Sequence, residues 1–298
     1  MIIDAHNHPD WLGHDIKKTL ENMDQYHIDK AWMLTCEFKP DEFEPAMIPL
    51  SNGFIFDQDC SNGAIPFAKV LEYKRLAPER FVLGYAPDPR RCDAIMTLKS
   101  AIDMYDVQVC GEIKYRMMYD NPDAIDMFRF CGDAGLPVTL HFDYPEAQLT
   151  NVTYPRRHYW YGGGIDVLER ILQLCPKTNF LGHAPGFWCH ISNDDLGLTT
   201  PYPKGPVIPN GRIEQLLEKY PNLYCDMSAG SCYSALSRDM DYTYKLMIRF
   251  PDRFVYARDL FTNIHQELLE RLNLPTDVLE LVYHGNAERL VRKETSYV

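Results

Sequence analysis

The strongest constraint on this chain is an alternation. Eight short, largely apolar runs are separated by stretches with helical spacing. The runs are Ile2–His6, Ala31–Cys36, Phe81–Tyr85, Val107–Tyr115, Pro137–Phe142, Asn179–Gly182, Leu223–Met227 and Phe254–Ala257. They do not alternate polar with apolar residues, as a strand with one wet face would. Continuous runs suit parallel strands covered on both sides. Between them, Ile16–Tyr26, Cys92–Tyr105, Asp123–Ala134, Ile165–Leu174, Arg212–Tyr220 and Asp241–Phe250 carry apolar residues three and four apart. Several of these end in stop signals, such as Gly135 with Pro137 following, or Tyr220-Pro221.

Eight strand–helix units predict an α/β fold, a (β/α)8 TIM barrel, with an open doubly wound sheet as the alternative. The length of 298 residues suits one such domain, residues 1–298. The longest irregular segments, 38–66, 143–164 and 184–211, each follow a strand. In a barrel those loops build the active site, so the sequence predicts elaborated loops at the carboxyl ends of the strands.

The formal net charge of −12 argues against nucleic acid as a partner, since phosphate binding needs clustered Lys and Arg. Nine cysteines, an odd number with no Cys-x-x-Cys, read as free thiols in a reducing compartment. The first apolar run follows Met1 directly, and no apolar run reaches the ~18 residues of a membrane span. The expectation is a cytoplasmic protein with no membrane partner.

The chemistry-bearing residues gather at the ends of the apolar runs. The chain opens Ile3-Asp4-Ala5-His6-Asn7-His8-Pro9. Period-two geometry puts Asp4, His6 and His8 on one face of a strand, and two imidazoles at a strand end can grip a divalent metal. His141 ends the fifth run, His183 the sixth, and Asp259 lies just past the eighth. Asp226 lies near the end of the seventh, and Glu112 and Lys114 lie on the fourth. In a barrel these ends converge, so residues far apart in sequence can share one ion. A single strand-end His is more often ordinary hydrogen-bonded structure. The joint pattern is what points to a metal.

These residues resemble the amidohydrolase superfamily, in the amidohydrolase-related branch that also contains metal-dependent decarboxylases. The resemblance spans essentially the whole chain. It rests on Asp4-Ala-His6-Asn-His8, His141, Gly182-His183-Ala-Pro-Gly186, Asp259 and the tail Tyr283-His-Gly-Asn286-Ala-Glu-Arg-Leu-Val291. It implies a barrel holding a divalent ion, commonly zinc, with manganese as the alternative. Carried over by position, His6, His8, His141 and Asp259 would be ligands. His183 would act on water or substrate as a proton shuttle, and Asp259 would share in that acid–base work. Two departures stand out. Asp259 follows Ala257-Arg258, where the branch more often has a Gly and a small polar residue. Strand four offers both Glu112 and Lys114, where binuclear members place a bridging Glu or a carboxylated Lys, so the number of ions stays open.

Such an ion lowers the pKa of water from about 15.7 toward about 7. The expected function is therefore hydrolysis of an amide, lactone or ester bond in a small molecule. The alternative is non-oxidative decarboxylation of an aromatic or unsaturated acid, and a further one is a metal-free binding barrel. Lys114, Arg116 and Arg258 form an expected cationic rim suited to anchoring a substrate carboxylate, which favours hydrolysis. Aromatic residues in the loops (Tyr154, Tyr159, Trp160, Tyr161, Phe187 and Trp188) and the pair Arg156 and Arg157 are candidate substrate contacts. Exposed aromatic loops also make a homodimer the candidate assembly.

Overall fold

The computed structural model describes residues 1–38, 42, 63–143 and 162–291. Ten strands appear in chain order: β1 (Ile3–Asn7), β2 (Lys30–Met33), β3 (Cys36–Phe38), β4 (Gly63–Ile65), β5 (Phe81–Leu83), β6 (Cys110–Ile113), β7 (Val138–His141), β8 (Phe180–His183), β9 (Leu223–Asp226) and β10 (Phe254–Val255). β3 and β4 form a small antiparallel hairpin after β2. The other eight correspond to the eight apolar runs and pair in parallel, as β1-β2-β5 and as β10-β9-β8-β7-β6.

Backbone hydrogen bonds join these two sheets at both seams. Gln108 N–H donates to Leu83 O and Tyr85 N–H to Val109 O, both at 3.0 Å, linking β5 to β6. Ala5 N–H donates to Tyr256 O at 3.0 Å, linking β1 to the end of β10. The strands thus run in a cycle, the (β/α)8 TIM-barrel arrangement that the sequence predicts.

The helices begin and end where the local chemistry directs. The helix Ile16–Gln25 is capped by Asp15, whose carboxylate accepts from Lys18 N–H. Asn121 caps Pro122–Ala134, with Pro122 in the first turn, where no N–H is needed. That helix stops at Gly135 in the left-handed region, φ +72°. The hairpin and the helix Phe67–Leu76 are not foreseen, because a three-residue strand gives too little periodicity to read.

Two apolar layers flank the strands. The outer one packs Ala31, Met33, Phe81, Val138, Leu140, Phe180 and Leu223 against helix residues such as Met23, Leu98, Phe128 and Leu168. The inner one fills the barrel with Ile3, Ala5, Trp32, Leu34, Val109, Leu181, Val255 and Ala257, closed by Ala287 and Leu290 of the last helix. Asn286 ties that helix to the sheet, its amide donating to Phe254 O at 2.7 Å.

Two β-bulges decide which side chains reach the barrel mouth. On β1 the register advances from Asp4↔Ala31 to Asn7↔Met33, one residue more than on β2. On β6 it advances from Cys110↔Val138 to Ile113↔Leu140, again one residue more than on its partner. An extra residue re-aims the side chains that follow it. Ala5 already faces inward, and after the bulge so do His6 and His8. Cys110 and Ile113 both face the helices, and Glu112 faces inward. This corrects one expectation: Asp4 does not share a face with His6 and His8, but lies on the helix side.

Phe187 and Trp188 belong to the core, at 0% and 1% exposure. Phe187 packs against Gly182, where an added Cβ would come within 2.5 Å of its ring. The Trp188 indole N–H donates to Asp226 O at 3.1 Å. Neither is an exposed loop contact. Tyr154, Arg156, Arg157, Tyr159, Trp160 and Tyr161 lie outside the described residues. The eight described cysteines are all free thiols, seven of them buried. Among the described residues no helix is long and apolar enough to cross a membrane.

Candidate metal centre

At the carboxyl ends of the strands, side chains from five of them meet. His6 comes from β1 with His8 just past its end, Glu112 from β6, His141 from β7 and His183 from β8, while Asp226 ends β9. Asp259 enters just beyond β10, its N–H donating to His6 O at 2.8 Å. Asp259, Ala184 and Ala229 have φ of +50°, +74° and +61°, unusual for residues other than glycine. All three lie just past strand ends, where the chain turns sharply into its loop.

Each ring is held by a partner that fixes its proton. The His8 Nδ1–H donates to Leu34 O at 2.9 Å, and a carbonyl can only accept. The His6 Nδ1–H donates to Asp226 Oδ2 at 2.7 Å. Both Nε2 atoms therefore carry lone pairs when the rings are neutral, and they lie 3.3 Å apart. Two bare nitrogens at that distance repel unless a proton or a cation lies between them.

Electrostatics agree. Burial opposes protonation of His6, but the Asp226 charge and hydrogen bond outweigh it and raise the pKa to about 10. Burial and the neighbouring His6 charge push His8 down to about 4. One proton is thus shared by two imidazoles in the metal-free protein, and a divalent ion competes for that place.

The carboxylates complete the donor set. Glu112 is 3% exposed and lies among the rings. It accepts from His141 Nδ1–H at 2.7 Å and lies 3.6 Å from both His8 Nε2 and His183 Nε2. Burial favours its neutral form, yet His141 beside it and the His6 and Lys114 charges hold it well below the usual carboxylate range. Asp259 Oδ1 lies 3.6 Å from His8 Nε2 and is buried with no hydrogen-bond partner among the described residues. Burial, offset in part by His6 and reinforced by Glu112, raises Asp259 to about 7. A buried carboxylate oxygen without a donor, beside two bare imidazole nitrogens, fits a divalent cation. The donor atoms of His6, His8 and Asp259 lie within 4.8 Å of one another, as do those of His6, Glu112 and His183.

The structure thus brings together His6, His8, Glu112, His183 and Asp259. His141 joins them through Glu112. Lys114 is half-buried, and its charge acts on His8, Glu112 and Asp259. Arg116 lies two residues further on, also half-buried. Arg258 does not belong, which corrects its expected place on a substrate rim. It is 1% exposed, its Nε–H donates to Asp4 Oδ2 at 2.8 Å and its Nη1–H to Asn22 Oδ1 at 2.9 Å. Ala257 faces the lumen, so the next residue must face the helices.

Two neighbours went unnoticed in the sequence. Ser228 Oγ lies 2.8 Å from His183 Nδ1, and the Trp11 ring packs edge-on against His8 with centroids 5.4 Å apart. Ser228 lies two residues past Asp226, a place that by itself signals nothing. Trp11 carried no signal.

Compared by sequence, the chain matches no family model and no curated protein. Compared by structure, it is similar to a TIM-barrel protein of Bordetella bronchiseptica, at TM-score 0.61 and 16% identity over 97% of both chains. It is also similar to a dihydroxybenzoic acid decarboxylase of Polaromonas sp. with bound manganese and the inhibitor 2-nitroresorcinol (TM-score 0.61, 14% identity, 100% of this chain and 99% of that one). An amidohydrolase of Burkholderia multivorans with bound zinc aligns at TM-score 0.59 and 13% identity, over 97% of this chain and 98% of that one. At such identities the likeness is one of fold, and the fold of this chain is that of the TIM-barrel amidohydrolases and decarboxylases.

Proposed function

We propose that the chain is a metal-dependent enzyme of the amidohydrolase superfamily that hydrolyses an amide, lactone or ester bond of a small molecule. The observation that carries this reading is the pair His6 and His8. Hydrogen bonds to Asp226 and Leu34 aim their bare nitrogens at one point beside the unpartnered Oδ1 of Asp259. His6, His8 and Asp259 would hold the ion, with Glu112 beside them. Bound there, a divalent cation supplies Lewis acidity toward a carbonyl and toward water. Zinc or manganese, the ions of the two metal-bearing neighbours, are the candidates.

The protein's own groups supply the rest. Asp259, whose Oδ1 lies 3.6 Å from His8 Nε2, is placed beside the ion to take and return a proton. His183 is held neutral, its pKa pushed well below the usual value by burial and the His6 charge, and serves as the second proton carrier. Lys114, partly exposed at the end of β6, is placed to meet an anionic part of the substrate. His141, whose Nδ1–H bonds Glu112 at 2.7 Å, is the further candidate ligand.

Decarboxylation of an aromatic acid is the second reading, favoured by the dihydroxybenzoate decarboxylases among the structural neighbours. With Arg258 withdrawn to the helix layer, the cationic rim that favours hydrolysis shrinks to Lys114 and Arg116. Elemental analysis of the purified protein, then a screen of the metal-loaded enzyme against lactones, acyl amides and hydroxybenzoates, tests the proposal. Hydrolysis of any of them supports it. Release of CO2 from a hydroxybenzoate with no hydrolysis replaces it by the second reading. A protein that retains no divalent ion refutes both.

A further inference from the structure

We infer that Ser228 is a positioning residue that holds His183 in the tautomer protonated on Nε2, making His183 a hydrogen-bond donor into the site and not a metal ligand. The inference follows from donor and acceptor roles. Asp226 Oδ1 accepts from Ser228 N–H at 2.9 Å and Oδ2 from His6 Nδ1–H at 2.7 Å, and the rings that the Ser228 hydroxyl meets are those of His6 and His183. The His6 Nδ1 thus carries a hydrogen, and it also lies 3.4 Å from Ser228 Oγ, which can only receive that hydrogen. The Ser228 hydroxyl proton is left with one ring acceptor, His183 Nδ1, at 2.8 Å. A proton on that nitrogen would instead crowd two N–H groups onto one oxygen.

The other end of the ring gives the same answer. His183 Nε2 lies 3.6 Å from Glu112 Oε1. A bare Nε2 would set its lone pair against the carboxylate, whereas an N–H there points at an acceptor. All members of this chain are enclosed: His6, Asp226 and Ser228 are 0% exposed and His183 is 1% exposed, so water does not compete for these bonds.

The competing arrangement is definite. His183 would donate from Nδ1 to Ser228, and Ser228 would pass its proton to Asp226. The Nε2 would then be bare and available to an ion shared with His6 and Glu112. The serine therefore decides between two uses of one histidine.

The consequence for turnover rests on the proposed metal-dependent reaction, but the tautomer does not. Nitrogen-15 spectra of the imidazoles in metal-free, labelled protein, assigned with a His183→Asn variant, read it directly. We expect a bare Nδ1 and a protonated Nε2 on His183. Protonated Nδ1 overturns the inference whatever the enzyme hydrolyses. If the expected tautomer is found in a protein that hydrolyses nothing, the proposed function fails and the inference stands.

With a substrate in hand, Ser228→Ala should lower kcat about 10–100-fold, leaving KM and metal content unchanged. Ser228→Thr, which keeps the hydroxyl, should restore most of it. Loss of metal in Ser228→Ala, or an unaltered kcat, also overturns the inference.

Discussion

Two buried polar clusters are built on β1, and they are opposites. Asp4 faces the helices, where its carboxylate accepts from Arg258 N–H and Nε–H, each at 2.8 Å, and from the Asn7 amide at 3.0 Å. Asn22 completes the group by accepting from Arg258 Nη1–H. Every charge has its counter-charge. Two residues later, past the bulge, His6 and His8 face the lumen with nitrogen lone pairs opposed, beside an unpartnered oxygen of Asp259. The first cluster locks β1 to β10 and to the helix Ile16–Gln25. The second is left open among the described residues, and a proton or a divalent ion would complete it. The same buried strand thus separates stability from function by one inserted residue.

The largest expected effect falls on the second cluster. His8→Ala removes one of the two opposed nitrogens, so most of the metal and all of the activity should go, while the fold survives. Metal analysis after dialysis checks this, and full retention of the ion would break the comparison. Next comes His183→Asn. It should keep the metal yet slow turnover by roughly 10²–10⁴, the usual scale of lost acid–base help. If ion and activity vanish together, the lumen cluster is larger than His6, His8 and Asp259.

The first cluster should respond in the opposite sense. Arg258→Met leaves Asp4 as an uncompensated buried charge, which costs about 3–5 kcal/mol of stability. Denaturant unfolding of the metal-free protein measures it. Adding Asp4→Asn should return much of the loss by removing the stranded charge. A loss below about 1 kcal/mol in the single variant would show that this pair does not lock the strand.

How much of this was legible beforehand differs between the same two clusters. The apolar runs gave the eight strands, because parallel strands buried on both faces must be apolar throughout. Strand-end His6, His8, Glu112, His183 and Asp259 were findable because barrel topology gathers strand ends. The bulges were not, since one inserted residue leaves no mark in an apolar run. Asp4 was therefore assigned to the wrong face. Arg258 differs for a simpler reason: sequence proximity to Asp259 suggests the site, but its guanidinium bonds Asp4 and Asn22 on the helix side. Ser228 was missed because a serine past a strand end is ordinary until the ring beside it is known.

The smallest effect is a pH dependence that separates the clusters without touching the ion. Asp259 is pushed up to about 7 in the folded protein, chiefly by burial. A carboxyl group whose folded pKa lies above its unfolded value of about 3.9 binds its proton more tightly when folded. Its contribution is complete below pH ~4 and is lost as the pH rises through about 7. Metal-free protein should therefore lose stability between those limits relative to an Asp259→Asn variant, which has no proton to release. The divergence is at most about 4 kcal/mol at ~1.4 kcal/mol per pH unit. Other buried groups titrate across the same range, but they do so in both proteins and largely cancel in the difference. Parallel stability curves from pH 4 to 7 would mean that Asp259 already has a cationic partner in the metal-free fold. The lumen cluster would then be as closed as the one around Asp4.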